Sequence, residues 1–353
     1  MSGPDGDPMS RRLLAVDLAA TSQNWALQPD CEQQLMRATP AGWDVQIVRS
    51  PTSSDGDGPP RPSEESLVAI EQAEVYFGFG LPRPLFEAAK RLRWAHSAAA
   101  GVGNMMYDEL RESDVLITNS AGVHAVPIAE YVVAGVLHFL RGLDLAIDQQ
   151  RRTEWNKQPF VRVGAPLREM DSVRALIVGT GGLGGETARR LSALGARCTG
   201  VRRRVELGPP DGFDRVVDLA AVDAELPTHD VIVLAAPLTP STDRLMTAER
   251  LDRLPASAIV INVSRGALLD EEALASRVAS GRLRGAVVDV FQREPLAADS
   301  PLWQLRSVLL TPHISPVSPG RFWPRQMELF LDNWGRYLRG EALRNVVDKR
   351  AGY

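Results

Sequence analysis

The chain has 353 residues, 44% hydrophobic and 24% charged, with 40 basic against 44 acidic side chains and a net charge of −4. That length suits about two domains of ordinary globular composition, and the missing basic excess excludes a dedicated nucleic-acid binder. Cys31 and Cys198 stand outside any CxxC or Cys/His cluster, Met1 to Arg12 lacks an apolar centre, and no apolar run has the roughly 18 residues of a membrane helix, so no metal site, disulfide framework, signal peptide or membrane span is expected and a reducing, cytoplasmic compartment is the default.

Strand-like runs at Leu13–Leu18, Trp43–Val48, Val75–Phe79, Arg93–Ser97 and Val115–Thr118 alternate with helical spacing at Cys31–Arg37, Ser66–Glu71 and Leu85–Leu92. This alternation predicts an open parallel sheet with helices on both faces. Pro51 to Ser63 is rich in Pro, Gly, Asp and Ser and reads as a long surface loop. A second strand–helix series begins near Val173. Its strands are expected at Val173–Val178, Arg197–Val201, Val231–Ala235, Ile259–Asn262, Ala286–Asp289 and Val308–Thr311, with a shorter run at Arg215–Val217. Helix starts are expected at Thr239-Pro240-Ser241-Thr242 and at Asp270 before Glu271 and Glu272. A long amphipathic segment, Arg321 to Leu338, follows the last strand.

The sharpest local signal is Gly179-Thr180-Gly181-Gly182-Leu183-Gly184, directly after the apolar run ending at Val178 and opening a helix over Leu183–Leu194. A GxGxxG between strand and helix is the context of a dinucleotide-binding turn. Gly179 permits the tight turn, Gly181 leaves room for a pyrophosphate, and Gly184 lets helix and strand pack closely. The helix start offers N–H groups and a positive dipole end to phosphates. About 20 residues on, where an NAD-binding unit carries an acid for the ribose hydroxyls, this chain has Arg202-Arg203-Arg204. Guanidinium groups would bind a 2′-phosphate, so NADP(H) is expected over NAD(H); a solvated basic turn is the alternative.

Three further segments each end a predicted strand: Ile261-Asn262-Val263-Ser264-Arg265-Gly266, Val288-Asp289-Val290-Phe291-Gln292-Arg293-Glu294-Pro295, and Leu310-Thr311-Pro312-His313-Ile314-Ser315. Ligands of open α/β sheets bind outside the carboxyl ends of the strands. Arg265, Glu294 and His313 are therefore expected at one edge. An arginine fork can hold a substrate carboxylate, a histidine can exchange a proton near neutrality, and a carboxylate beside it fixes the ring and favours the imidazolium. A 2-keto acid reductase needs this set. Of the other histidines, His96 reads as a strand residue with a local partner, His124 as near the crossover between domains, His138 as packed and His229 as a loop residue.

In order and spacing these segments resemble the D-isomer-specific 2-hydroxyacid dehydrogenase family. So do Asp230 to Thr242, Ala100-Gly101-Val102, the helix start at Ala129-Glu130, and Asn345-Val346-Val347-Asp348. The flavour is that of the glyoxylate/hydroxypyruvate reductases. The resemblance implies two doubly wound parallel-sheet α/β domains. A discontinuous flavodoxin-like substrate domain would span residues 1–122 plus 319–353, with an inserted Rossmann cofactor domain at 123–318. It implies His313 as the acid/base, Glu294 as its partner, and Arg265 on the substrate carboxylate with the amides of Ala100 and Gly101. It also implies Asp289 and the Val263 carbonyl on the nicotinamide carboxamide, Ala236, Pro237 and Thr242 along the cofactor, and a homodimer joined through the cofactor domains. The expected reaction is reversible hydride transfer from NADPH to a small 2-keto acid. A phosphoglycerate dehydrogenase-like NAD enzyme and a catalytically idle nucleotide sensor are the alternatives. Gly103-Asn104 and Ser315-Pro316 depart from the family pattern, which bears on substrate preference.

Overall fold

The computed structural model describes residues 11–51 and 61–352. Most of the polar start of the chain and of the Pro51–Ser63 loop lies outside those residues. The chain forms two compact units, Met1–Val123 with Ser318–Tyr353, and His124–Val317.

The first unit carries a five-stranded sheet, β1 (Arg12–Asp17), β2 (Trp43–Ile47), β3 (Val75–Gly78), β4 (Trp94–Ser97) and β5 (Leu116–Asn119), in the order β2-β1-β3-β4-β5. All its pairings are parallel, and this is the flavodoxin-like order. Successive residues of a strand point to opposite faces, so each strand supplies two cores. Leu14, Val16, Val75, Phe77 and Trp94 face one cluster; Ala15, Tyr76, Ala95 and Ile117 face the other. The first cluster explains why the chain returns. The helix Phe322–Arg339 lays Phe330 on Phe77 with ring centroids 3.9 Å apart and sets Trp334 over Trp94 at 6.4 Å. Burying such rings stabilises by about 1.5–3 kcal/mol each, which ties the C-terminal segment to the first unit.

The second unit carries a seven-stranded, all-parallel sheet. Its strands are β6 (Arg174–Val178), β7 (Arg197–Val201), β8 (Arg215–Val217), β9 (Val231–Leu234), β10 (Ile259–Asn262), β11 (Gly285–Val288) and β12 (Val308–Leu310). The order is β12-β11-β10-β9-β6-β7-β8, the Rossmann arrangement with one further strand at the edge. Central strands such as Val231–Leu234 and Ile259–Asn262 are buried along their whole length, as sheets covered on both faces require. The helices Ala125–Leu140 and Gly182–Ala193 cover one face. Asp270 caps its helix by accepting the Ala273 N–H at 2.9 Å.

Two local expectations are corrected. Thr239-Pro240-Ser241-Thr242 is a turn rather than a helix start. The Thr242 hydroxyl accepts the Thr239 N–H at 2.8 Å and donates to the Pro237 carbonyl at 2.7 Å, closing the segment on itself. The next helix starts later, over Ala248–Asp252, capped by Thr247. The helix expected over Leu85–Leu92 spans Arg83–Ala88, because Ala89 turns extended and the Lys90 N–H bonds the Glu71 carbonyl instead. Among the described residues no single helix is long and apolar enough to cross a membrane.

Candidate active site

The glycine turn joins β6 to the helix Gly182–Ala193. Gly179 has φ +102°, and a Cβ there would stand 2.7 Å from the Ala235 carbonyl oxygen. At Gly184 a Cβ would stand 1.8 Å from the Gly179 carbonyl oxygen, so only glycine lets the helix meet the turn. Gly181 differs: a Cβ there meets no atom within 4 Å. The space above Gly181 is open, and no side chain caps the helix start there. Free amides facing open space are what a pyrophosphate takes. These residues therefore fit a dinucleotide.

Arg202 and Arg203 follow β7, the strand beside β6. The Arg202 guanidinium donates to the Gly208 carbonyl at 3.1 Å, and Arg203 is exposed. Ala236, Pro237 and Thr242 follow β9, with Ala236 and Thr242 buried and Pro237 exposed. Val263 and Arg265 follow β10. The Asn262 side-chain amide donates to the Arg265 carbonyl at 2.9 Å, its oxygen accepts the Ser264 N–H at 3.2 Å, and the Ser264 hydroxyl donates to the Ala236 carbonyl. The Arg265 guanidinium donates to the Ser264 carbonyl at 2.7 Å.

Arg265, Glu294 and His313 follow β10, β11 and β12, three adjacent strands, so the fold brings them to one edge. The first two loops are interlocked: a Cβ on Gly266 would lie 1.9 Å from the Phe291 carbonyl carbon. Glu294 accepts the Phe291 N–H at 2.9 Å through Oε1 and the His313 Nδ1–H at 2.9 Å through Oε2. Both side chains keep partial exposure, 22% for Glu294 and 32% for His313. Nδ1 bound to a carboxylate leaves Nε2 as the nitrogen for a substrate.

His313 sits at φ +53°, a left-handed conformation unusual outside glycine. Asp289 holds it there. The His313 N–H bonds the Asp289 carbonyl at 2.9 Å, while the wholly buried carboxylate accepts the Ile314 N–H at 2.8 Å, the Ser315 N–H at 2.9 Å and the Thr311 hydroxyl. Tyr131 bonds Thr311 in turn at 2.6 Å, and burial pushes its phenol up to about 12. Behind Glu294, the Glu271 carboxylate accepts the Gln292 N–H; burial, with the charge of Glu294, pushes its carboxyl above the usual range. Sequence reasoning did not single out Thr311, Tyr131, Asn262 or Glu271. A polar Asn closing an apolar strand was a signal for Asn262 alone.

Ala100 and Gly101 belong to the first unit, in the exposed loop after β4, and among the described residues neither N–H is hydrogen-bonded. His96 lies buried in that unit, its Nδ1 2.7 Å from the Thr118 hydroxyl, and burial lowers it to about 3. His229 is buried between the Glu225 carbonyl and the Thr199 hydroxyl, at 2.7 and 3.1 Å. His124 Nδ1 meets the Pro316 carbonyl at 3.2 Å. Both cysteines are free and buried, and among the described residues no His/Cys/Asp/Glu group is arranged for a metal.

A family model described as D-isomer specific 2-hydroxyacid dehydrogenase, NAD binding domain, matches residues 133–315. The chain belongs to the D-isomer specific 2-hydroxyacid dehydrogenase family. Among its family relatives is a glyoxylate reductase of Korarchaeum cryptofilum, 30% identical over 75% of this chain and 79% of that one. A D-3-phosphoglycerate dehydrogenase of Methanocaldococcus jannaschii is 28% identical over 81% of this chain, which spans about half (53%) of that relative's length. A crystal structure of a D-isomer specific 2-hydroxyacid dehydrogenase from Xanthobacter autotrophicus, in complex with NADPH and MES, superposes with a TM-score of 0.76 at 30% identity. The match covers 97% of this chain and 99% of that one. The family consists of oxidoreductases acting on CH–OH donors, and the Rossmann unit is its NAD(P)-binding domain.

Proposed function

We propose that this protein reduces a small 2-keto acid of the glyoxylate or hydroxypyruvate kind to a D-2-hydroxy acid, with NADPH as the preferred reductant and NADH as a possible one. One observation carries the reading: the Glu294–His313 pair stands at the strand ends next to the loop of Arg265, on the edge that bears the glycine turn. Glyoxylate is the substrate named for the Korarchaeum relative, and NADPH is the cofactor in the Xanthobacter structure.

When bound, the nicotinamide supplies a hydride. Its pyrophosphate would rest on the amides after Gly181, from Gly182 through Gly184, beside Thr180. Its 2′-phosphate would meet Arg202 and Arg203. Ala236, Pro237 and Thr242 would flank it, and the Val263 carbonyl with the remaining capacity of Asp289 Oδ2 would take the carboxamide. His313, holding its proton at Nε2, protonates the keto oxygen as negative charge develops there. Glu294 stabilises the imidazolium before the transfer. The Arg265 fork binds the carboxylate and draws electron density from the adjacent carbonyl; Ala100 and Gly101 N–H groups are its proposed partners in that binding.

We further infer a homodimer joined through the second unit, where Trp155, Val161 and Val163 expose apolar surface, and a cytoplasmic setting. The test of function is a panel of 2-keto acids, phosphohydroxypyruvate included, followed by oxidation of NADPH and of NADH. Turnover of glyoxylate or hydroxypyruvate with NADPH supports the reading. Turnover of phosphohydroxypyruvate alone with NADH favours a phosphoglycerate dehydrogenase-like enzyme, and NADPH binding without turnover favours a sensor.

A further inference from the structure

The amino ends of the seven-stranded sheet, opposite the edge described above, carry a polar cavity. It has a volume of about 290 Å³ and is lined by Arg174, Arg197, Thr199, Asp214 and Arg215. Arg174 and Arg197 are the first residues of β6 and β7 and stand as direct partners across the parallel pair. Arg215 opens β8 and is the partner of Thr199. Three adjacent strands thus begin with arginine at one rim.

Like charges directly opposite one another on neighbouring strands destabilise a sheet. Glu225 lies within electrostatic reach of Arg174, but its carboxylate is committed to Arg215. Among the described residues, neither the Arg174 nor the Arg197 guanidinium makes a hydrogen bond or an ion pair. Arg215 is satisfied by Glu225, with a 2.9 Å contact as one of two hydrogen bonds. Asp214 uses one oxygen on the Cys198 N–H at 2.7 Å. Thr199 is tied to His229. The lining therefore leaves two exposed guanidinium groups with no hydrogen-bond or ion-pair partner among the described residues, carried on paired positions of β6 and β7, with one carboxylate oxygen beside them.

We propose that this cavity binds a small phosphate-bearing anion. Two planar forks match the oxygens of a phosphate group, and a dianion between them removes the repulsion across β6 and β7. The remaining Asp214 oxygen disfavours a second phosphate nearby and suits a ligand hydroxyl, which points to a small hydroxylated phosphate ester. The site is distinct from the glycine turn and does not depend on the reaction proposed above.

The test is calorimetric titration of the full-length protein with inorganic phosphate and, separately, with glycerol 3-phosphate, at ionic strength matched with sodium chloride. The variants are Arg174→Ser, Arg197→Ser and, at the opposite edge, Arg203→Ser. Binding of either probe that weakens tenfold or more in the two cavity variants and persists in Arg203→Ser supports the site. Tighter binding of glycerol 3-phosphate assigns an ester; equal or tighter binding of inorganic phosphate assigns the free ion. Melting curves give an independent check. In phosphate-free buffer each cavity variant is expected to melt no lower than the parent and to lose the phosphate-dependent rise in Tm. The proposal is overturned if neither probe binds, if binding survives in both cavity variants, or if only Arg203→Ser abolishes it.

Discussion

Glu294 is held at both of its oxygens, and only one of them faces His313: Oε1 accepts the Phe291 N–H and Oε2 the His313 Nδ1–H, each at 2.9 Å. The carboxylate therefore cannot swing away from the imidazole without leaving a backbone amide unpaired. On the proposed mechanism His313→Ala is expected to lower kcat for glyoxylate reduction by on the order of 100-fold or more. An unchanged kcat would show that another group donates the proton.

Glu294→Gln keeps the size but leaves one acceptor oxygen for two donors, the Phe291 N–H and the His313 Nδ1–H, and removes the carboxylate charge beside the ring. On the proposed mechanism reduction is expected to slow by about tenfold or more, since the ring that donates the proton loses its partner, while oxidation of the hydroxy acid suffers less. Steady-state kcat in both directions checks this; parental rates both ways would separate Glu294 from the acid/base step.

On the proposed reading, the choice between NADPH and NADH rests on the turn after β7. Replacing Arg203 by Ser, alone and with Arg202→Ser, is expected to raise KM for NADPH about tenfold or more, the equivalent of about 1.4 kcal/mol for a lost charge-assisted contact. KM for NADH should stay nearly constant. Equal effects on the two cofactors would mean that these arginines act on the loop and not on a phosphate.

Asp289 lies inside the protein with three donors on its carboxylate. In Asp289→Asn one oxygen becomes an amide that opposes a buried N–H instead of accepting it. A loss of roughly 2–4 kcal/mol in urea unfolding is expected, from one bond removed and one donor stranded. Activity should fall further than stability, since the same bonds keep His313 at its positive φ. A variant with parental stability would show that the loop finds another acceptor.

Acid sensitivity should come from the histidines away from the site. Burial lowers His96 to about 3, and His138 and His229 also titrate below the ordinary 6.5. Such groups are neutral in both states above 6.5. As the pH falls below that value the unfolded chain takes up protons that the folded chain refuses, so stability drops with pH down to the folded value. The slope is at most about 1.4 kcal/mol per pH unit for each histidine. His96→Gln is expected to flatten the stability profile between pH 6.5 and 4.5; an unaltered slope would place the acid sensitivity elsewhere.

The sequence and the structure agree where the local pattern is also the global one. Alternating apolar runs of four to six residues, separated by helical spacing, could be read as a parallel sheet because both faces of the central strands are buried. The glycine turn was legible because strand, turn and helix are contiguous. Thr239 to Thr242 misled because Pro with hydroxyl residues suits a helix cap and a closed turn equally, and the deciding bond, Thr242 to the Pro237 carbonyl, lies outside any helix signature. The bracing of His313 was hidden for another reason. Tyr131 and Thr311 are 180 positions apart, and nothing in either neighbourhood announces the other.

Gly266 has a wider consequence. With the backbone of Phe291 where its Cβ would be, the arginine loop and the glutamate loop behave as one machined part. Neither can be reshaped to suit a bulkier acid without dislodging the other. Diversification of substrate range in this scaffold must therefore be drawn from segments that are free of that lock, and saturation mutagenesis of position 266 should return glycine alone among active variants.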